Sequence, residues 1–156
     1  MSRVNDTIQF MAKKKLITRE EIDNLVSVGN PNISPDGSQI LYTKKCVKDG
    51  RNHTTIWVAQ TKGSKLPRQL TNNGMDGSPH WSPDGSKLVY AKYRFGTHGS
   101  MVFDLRMYYD GIKSWLTNDQ RASYPIWSPD GNSIVYVTHK NNISNLFSMN
   151  LSDRQV

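Results

Sequence analysis

Residues 79–90 read PHWSPDGSKLVY, and the turn at their centre, Ser82-Pro83-Asp84-Gly85, has a defined chemistry. Serine suits the first turn position, proline pre-sets φ at the second, aspartate suits the third and glycine accepts positive φ. The apolar run Leu88-Val89-Tyr90-Ala91 follows, as a strand should after a hairpin turn. The stretch recurs. Residues 31–42 read PNISPDGSQILY and residues 125–136 read PIWSPDGNSIVY, so proline, serine, proline, aspartate, glycine and tyrosine return at six of twelve positions. The aligned serines Ser34, Ser82 and Ser128 are spaced by 48 and then 46 residues. A second element, Leu70-Thr71-Asn72 and Leu116-Thr117-Asn118, keeps the same period of 46.

A period in the mid-forties carried by strand-forming residues is that of a WD40-like propeller blade of about four strands. Ile40-Leu41-Tyr42, Leu88-Val89-Tyr90-Ala91 and Ile134-Val135-Tyr136-Val137 are apolar on both faces, which suits sheets covered on both sides by neighbouring blades. Third strands are expected at Thr55–Val58, Asp104–Tyr109 and Asn145–Met149, and fourth strands end at Arg68–Thr71 and Trp115–Thr117. The stretches Lys48–Thr54 and Arg94–Gly99 read as polar loops. The fold class is therefore all-β: a partial β-propeller of about two and a half four-stranded antiparallel blades, preceded by a short N-terminal helix. The expected division is 1–14 a disordered basic extension, 15–30 a short capping helix leading into the first blade, and 31–156 an incomplete propeller with blades near 31–76, 77–122 and 123–156. The third unit reaches Val156 before a fourth strand, so the chain is expected to be a piece of a larger ring.

The helix signal is Thr18-Arg19-Glu20-Glu21, a capping box in which threonine and the third-position glutamate satisfy each other's backbone NH groups. Ile22, Leu25 and Val26 follow at helical spacing, and the helix is expected to end near Gly29 and to lie against the first blade. Met11 is a second plausible start.

Composition narrows the function. The 156 residues hold 36% hydrophobic side chains, no window of about 18 apolar residues, and no secretory signal pattern at the N-terminus. The single cysteine, Cys46, allows no internal disulfide and fits a reducing cytoplasm. The net charge of +7 is spread out, apart from Lys13–Lys15 and Lys44, Lys45 and Lys48, and no nucleic-acid motif accompanies it. Neither nucleic acid nor membrane is expected as a partner.

The candidates for chemistry are few. No GxSxG nucleophile elbow occurs. Gly96-Thr97-His98-Gly99-Ser100 fits no nucleophile geometry and reads as a flexible loop. His53, His80, His98 and His139 lack metal-ligand spacing, and His80 occupies a position filled by Asn32 and Ile126 in the other copies. Asp36, Asp84 and Asp130 recur, but each belongs to its turn. No catalytic, cofactor-binding or metal-binding residue is expected, and no cofactor.

KLITREEIDNLVSVGNPNISPDGSQILYT, TTIWVAQTKGSKLPRQLTN and DGSPHWSPDGSKLVYA, in that order from Lys15, resemble the opening of serine peptidases of the prolyl oligopeptidase family, in the acylaminoacyl-peptidase and dipeptidyl-peptidase-like branch. SPDG repeats are shared with TolB-type propellers; the helix LITREEIDNL leading into the first repeat is more specific. The resemblance implies an N-terminal propeller that admits short peptides to a C-terminal α/β-hydrolase domain carrying a Ser-Asp-His triad. That domain and the remaining blades would be this chain's partners, proteolysis the role of the whole, and the chain alone would hydrolyse nothing. Ile33, where the other copies have Trp81 and Trp127, departs from the repeat. The alternative is a non-catalytic TolB-like module that binds proteins.

Overall fold

The computed structural model describes residues 17–63, 65–72 and 74–152. The expectations for residues 1–14, for Met11 and for Lys13–Lys15 lie outside the described residues. Among the described residues, eleven strands form three antiparallel sheets. The first holds β1 (Ser27–Ile33), β2 (Gln39–Lys48), β3 (Arg51–Gln60) and β4 (Arg68–Gln69) in that order. The second repeats it with β5 (Asp76–Trp81), β6 (Lys87–Phe95), β7 (Met101–Tyr109) and β8 (Ile112–Trp115). The third holds β9 (Ala122–Trp127), β10 (Ser133–Lys140) and β11 (Ile143–Asn150). Each sheet is one blade, and the all-β propeller architecture stands.

The SPDG turn closes the first hairpin of every blade. Gly37, Gly85 and Gly131 donate to the carbonyls of Ser34, Ser82 and Ser128 and sit at φ of 70°, 72° and 74°. The serine hydroxyl donates to its aspartate and accepts the backbone NH of Gln39, Lys87 or Ser133, which joins the turn to the next strand. The turns also lie within contact of one another. A Cβ at Gly85 would lie 3.4 Å from Pro35 Cδ of the preceding blade, and one at Gly131 would lie 3.7 Å from Pro83 Cδ. The turns therefore stack blade on blade.

Strand β6 shows why these runs are apolar throughout. Leu88 and Tyr90 pack with Leu41, Ile56, Val58 and Leu70 of the first blade. Val89 and Ala91, on the opposite face, pack with Ala122, Trp127, Ile134 and Tyr136 of the third. Period-two alternation thus feeds two different cores. Blades are also joined by polar contacts: Asn32 Oδ1 accepts the NH of Trp81 at 3.0 Å, and Trp127 Nε1 donates to the His80 carbonyl at 3.3 Å. Ile33, in the tryptophan position of the first blade, is exposed.

The repeated Leu-Thr-Asn also has a mechanism. Thr71 Oγ1 accepts the NH of Ile56 at 2.9 Å, and Thr117 Oγ1 accepts the NH of Leu105 at 2.8 Å. Each threonine pins the end of a short outer strand to the third strand of its blade.

Two expectations differ. The helix is one turn and a half, α1 (Arg19–Asp23), with the full Thr18–Glu21 capping box. It stops well before Gly29, because Ser27–Ile33 pairs with β2 as the innermost strand. Ile22, Leu25 and Val26 stay more than half exposed. The expected loop Lys48–Thr54 is mostly strand, whereas Arg94–Gly99 is strand only at Arg94 and Phe95 and turns after them. Strands β2 and β3 pair through Lys48 and Arg51 across the two-residue turn Asp49-Gly50, at φ of 52° and 70°. Positive φ at both central residues is the hairpin geometry that matches strand twist. Asp110-Gly111 and Asn141-Asn142 do the same elsewhere.

Candidate functional site

The innermost strands β1, β5 and β9 carry one shared irregularity. Their pairing slips between Gly29 and Asn32, between Gly77 and His80, and opposite Val135 and Val137. At each slip a residue before proline is left-handed: Asn30 at φ 50°, Ser78 at 48° and Tyr124 at 52°. A residue before proline normally favours extended backbone, and positive φ strains any side chain but glycine. These three bulges place Asn30, Ser78 and Tyr124 around one space. That space is a cavity of about 570 Å³ reached by all three blades. It falls within the size range of small-ligand sites.

Two polar atoms in its wall stand out. Asp76, 2% exposed, accepts from Lys92 Nζ through Oδ1 at 2.7 Å, while its Oδ2 has no hydrogen-bond partner among the described residues. Ser123, 9% exposed, has an equally unpartnered Oγ. Both residues line the same cavity, while these two atoms themselves are closed off from solvent. Aligned on the prolines, Asp76 stands where the other blades have Val28 and Ala122, and Ser123 stands where they have Gly29 and Gly77. The scaffold therefore does not need either group.

The wall is completed by Arg121 and by Tyr93 and Phe103, which meet edge to face. Arg121 is presented by a loop that Asp104 fixes. This fully buried carboxylate accepts the Thr117 hydroxyl at 2.7 Å and the NH groups of Asp119 and Gln120 at 2.7 and 3.1 Å. Asp119 in turn accepts the NH of Thr97 at 3.1 Å, and hydrogen bonding from the Thr97 side chain first, then from its NH, holds its carboxyl below the usual range. Gly96–Ser100 is thus a tied hairpin end, closed by Gly96 NH on the Ser100 carbonyl, rather than a loose loop.

The other sequence candidates fall elsewhere. Asp36, Asp84 and Asp130 are exposed and hold their turns; hydrogen bonds from Ser34 and Ser38 and from Ser82 and Ser86 bring Asp36 and Asp84 to pKa values of about 2. His80 is half-buried beside Asn32, and burial lowers its pKa. His139 pairs with Ser144 and lies at the cavity rim, His53 packs against Gly74, and His98 is exposed. Among the described residues no group of three or more His, Cys, Asp or Glu could hold a metal. No described helix is long and apolar enough to cross a membrane.

The family model for the TolB beta propeller domain matches residues 10–156. The chain belongs to the TolB beta propeller domain family. Among solved structures, this TolB-like propeller is similar to TolB from Acinetobacter baumannii, with a TM-score of 0.65 and 20% identity, covering 80% of this chain and 30% of that one. It is also similar to the Pyrococcus horikoshii acylaminoacyl peptidase, with a TM-score of 0.59 and 12% identity, covering 74% of this chain and 18% of that one. These likenesses establish the fold. A curated relative, the uncharacterized peptidase YuxL of Bacillus subtilis (strain 168), is 40% identical over 57 residues, which is 35% of this chain and 9% of that protein. The TolB-like propeller thus spans a minor part of each relative, and it resembles peptidase propellers and TolB alike.

Proposed function

We propose that this propeller is the peptide-gating part of a cytoplasmic serine oligopeptidase of the acylaminoacyl- or dipeptidyl-peptidase-like branch. The observation that carries the reading is the 57-residue stretch 40% identical to a peptidase. The three-blade cavity supports it with an opening of small-molecule size, lined by polar and aromatic groups that suit peptide. The lone Cys46 supports a reducing compartment. The chemistry belongs to a hydrolase domain joined to the propeller, and the propeller's part is to select by size what reaches it.

The test is labelling of the native gene product with a fluorophosphonate probe, followed by capture with an antibody to the propeller. A labelled protein well above 17.7 kDa is expected. The second reading, a TolB-like protein-binding module, draws on the likeness to TolB. It predicts capture of unlabelled propeller together with a stoichiometric protein partner, a result that would replace the peptidase reading.

A further inference from the structure

A second space lies between the second and third blades, where the connection that carries Arg121 faces the hairpin of β10 and β11. It holds about 970 Å³. Arg121, Lys140 and Phe147 in its lining are all exposed, so a ligand can reach them.

Arg121 and Lys140 are the permanent cations of this wall, and among the described residues neither side chain makes a hydrogen bond or an ion pair. Asp119 is the only carboxylate among the lining residues, and its Oδ2 accepts the NH of Thr97 at 3.1 Å. The Tyr136 hydroxyl donates to Gln120 Oε1 at 3.0 Å, which leaves the amide NH2 of Gln120 to offer. His98 and His139, also in the lining, carry no negative charge in either protonation state. The wall thus presents donors and positive charge.

These cations are additions to the repeat. Aligned on the prolines, Arg121 stands where the first two blades carry Ser27 and Met75. Aligned on the tyrosines, Lys140 stands where they carry Cys46 and Arg94, and that arginine lies over the Trp115 ring at 4.8 Å. Met75 shares the left-handed backbone of Arg121, at φ of 60° against 51°, so the blade accepts an uncharged side chain there. Beside the cations lies apolar surface: Phe147 is 51% exposed, with its ring 6.3 Å from that of Tyr136. A bare ion would use the cations and leave Phe147 to water. A carboxylate that ends an apolar chain uses both.

We propose that this cavity binds the C-terminal carboxylate of a short peptide, with Arg121 and Lys140 donating to the carboxylate and the last side chain resting on Phe147. Guanidinium and carboxylate are matched in charge and in planar geometry. The site deepens the peptide-gating reading and rests on it for the ligand's source. It is tested without any hydrolysis, so its failure is distinct from a failure of the labelling experiment.

The measurement is a saturation-transfer NMR titration of the full chain. The probes are N-acetyl-alanyl-alanyl-phenylalanine with a free carboxylate and the same peptide as its C-terminal amide, with inorganic phosphate as competitor. The free acid should bind, and the amide should bind at least about tenfold more weakly, the worth of one charge-assisted hydrogen bond. Arg121→Met should weaken the free acid by about tenfold at an unchanged melting temperature. Lys140→Gln should weaken it several-fold. Lys62→Gln, which removes the same charge from the exposed connection after β3, should leave binding as it is. No transfer to the free acid, or equal binding of acid and amide, would overturn the proposal. Displacement of the acid by an equal concentration of phosphate would also overturn it, since the site would then hold a bare anion. An equal loss in Lys62→Gln would do the same by showing that net charge alone attracts the peptide.

Discussion

The aspartate of each SPDG turn accepts three side-chain or backbone hydrogen bonds from residues within two positions, and this is what lowers its pKa. Asp36 and Asp84 lie near pKa 2 in the folded chain, below the ordinary 3.8, and Asp130 is lowered as well. A folded-state pKa below the unfolded one gives stability that is present above the unfolded value and lost as pH falls through the folded one. The melting temperature should therefore drop between about pH 4 and pH 2, and Asp84→Asn should flatten that limb in a thermal-melt series. His80 adds a separate, milder decline that begins nearer pH 6.5, since burial disfavours its charged form. His80→Asn, the residue at Asn32 in the first blade, should remove that upper decline. At Gly85 the positive φ alone sets the cost of a side chain, since a Cβ would meet Pro35 at ordinary contact distance. Gly85→Ala should cost about 1–2 kcal/mol in chemical denaturation, the ordinary cost of a left-handed side chain.

At the scale of the strand, the two threonines of Leu-Thr-Asn differ in a way that can be measured. Thr117 both accepts from Leu105 and donates to the buried Asp104, whereas Thr71 accepts from Ile56 in a blade with Thr55 at the corresponding place. Thr117→Val should therefore destabilise more than Thr71→Val, by about 1–3 kcal/mol for the orphaned groups. Leu105→Ala, in the core between the second and third blades, should cost about 2–5 kcal/mol. The turn and strand order of these elements was legible in the sequence because turn residues and the apolar alternation repeat three times. The helix end was misjudged because Ile22, Leu25 and Val26 mimic an apolar helical face, while pairing with β2 claims Ser27 onward. The turn Asp49-Gly50 is a dipeptide signal masked by the polar residues Lys48, Arg51 and Asn52 around it. The cavity was harder to see. Asp76 and Ser123 become conspicuous when the repeats are aligned on their prolines, three and two residues before them, but the bulges that gather Asn30, Ser78 and Tyr124 have no sequence mark beyond that proline.

On the scale of the whole molecule, stacking of blades and placement of the cavity are one arrangement. The two inter-blade cores hold β1, β5 and β9 side by side, and the polar network around Asp104 fixes the loop that delivers Arg121. Sequence repetition builds the scaffold, and departures from repetition supply its chemistry. The proposed role for the propeller is that of a size filter for peptides. The most direct test compares kcat/KM of the intact native gene product on a short blocked peptide with its rate on an unfolded protein containing the same cleavage sequence. Efficient cleavage of the peptide with negligible cleavage of the protein is the predicted result, and equal rates on both would contradict it.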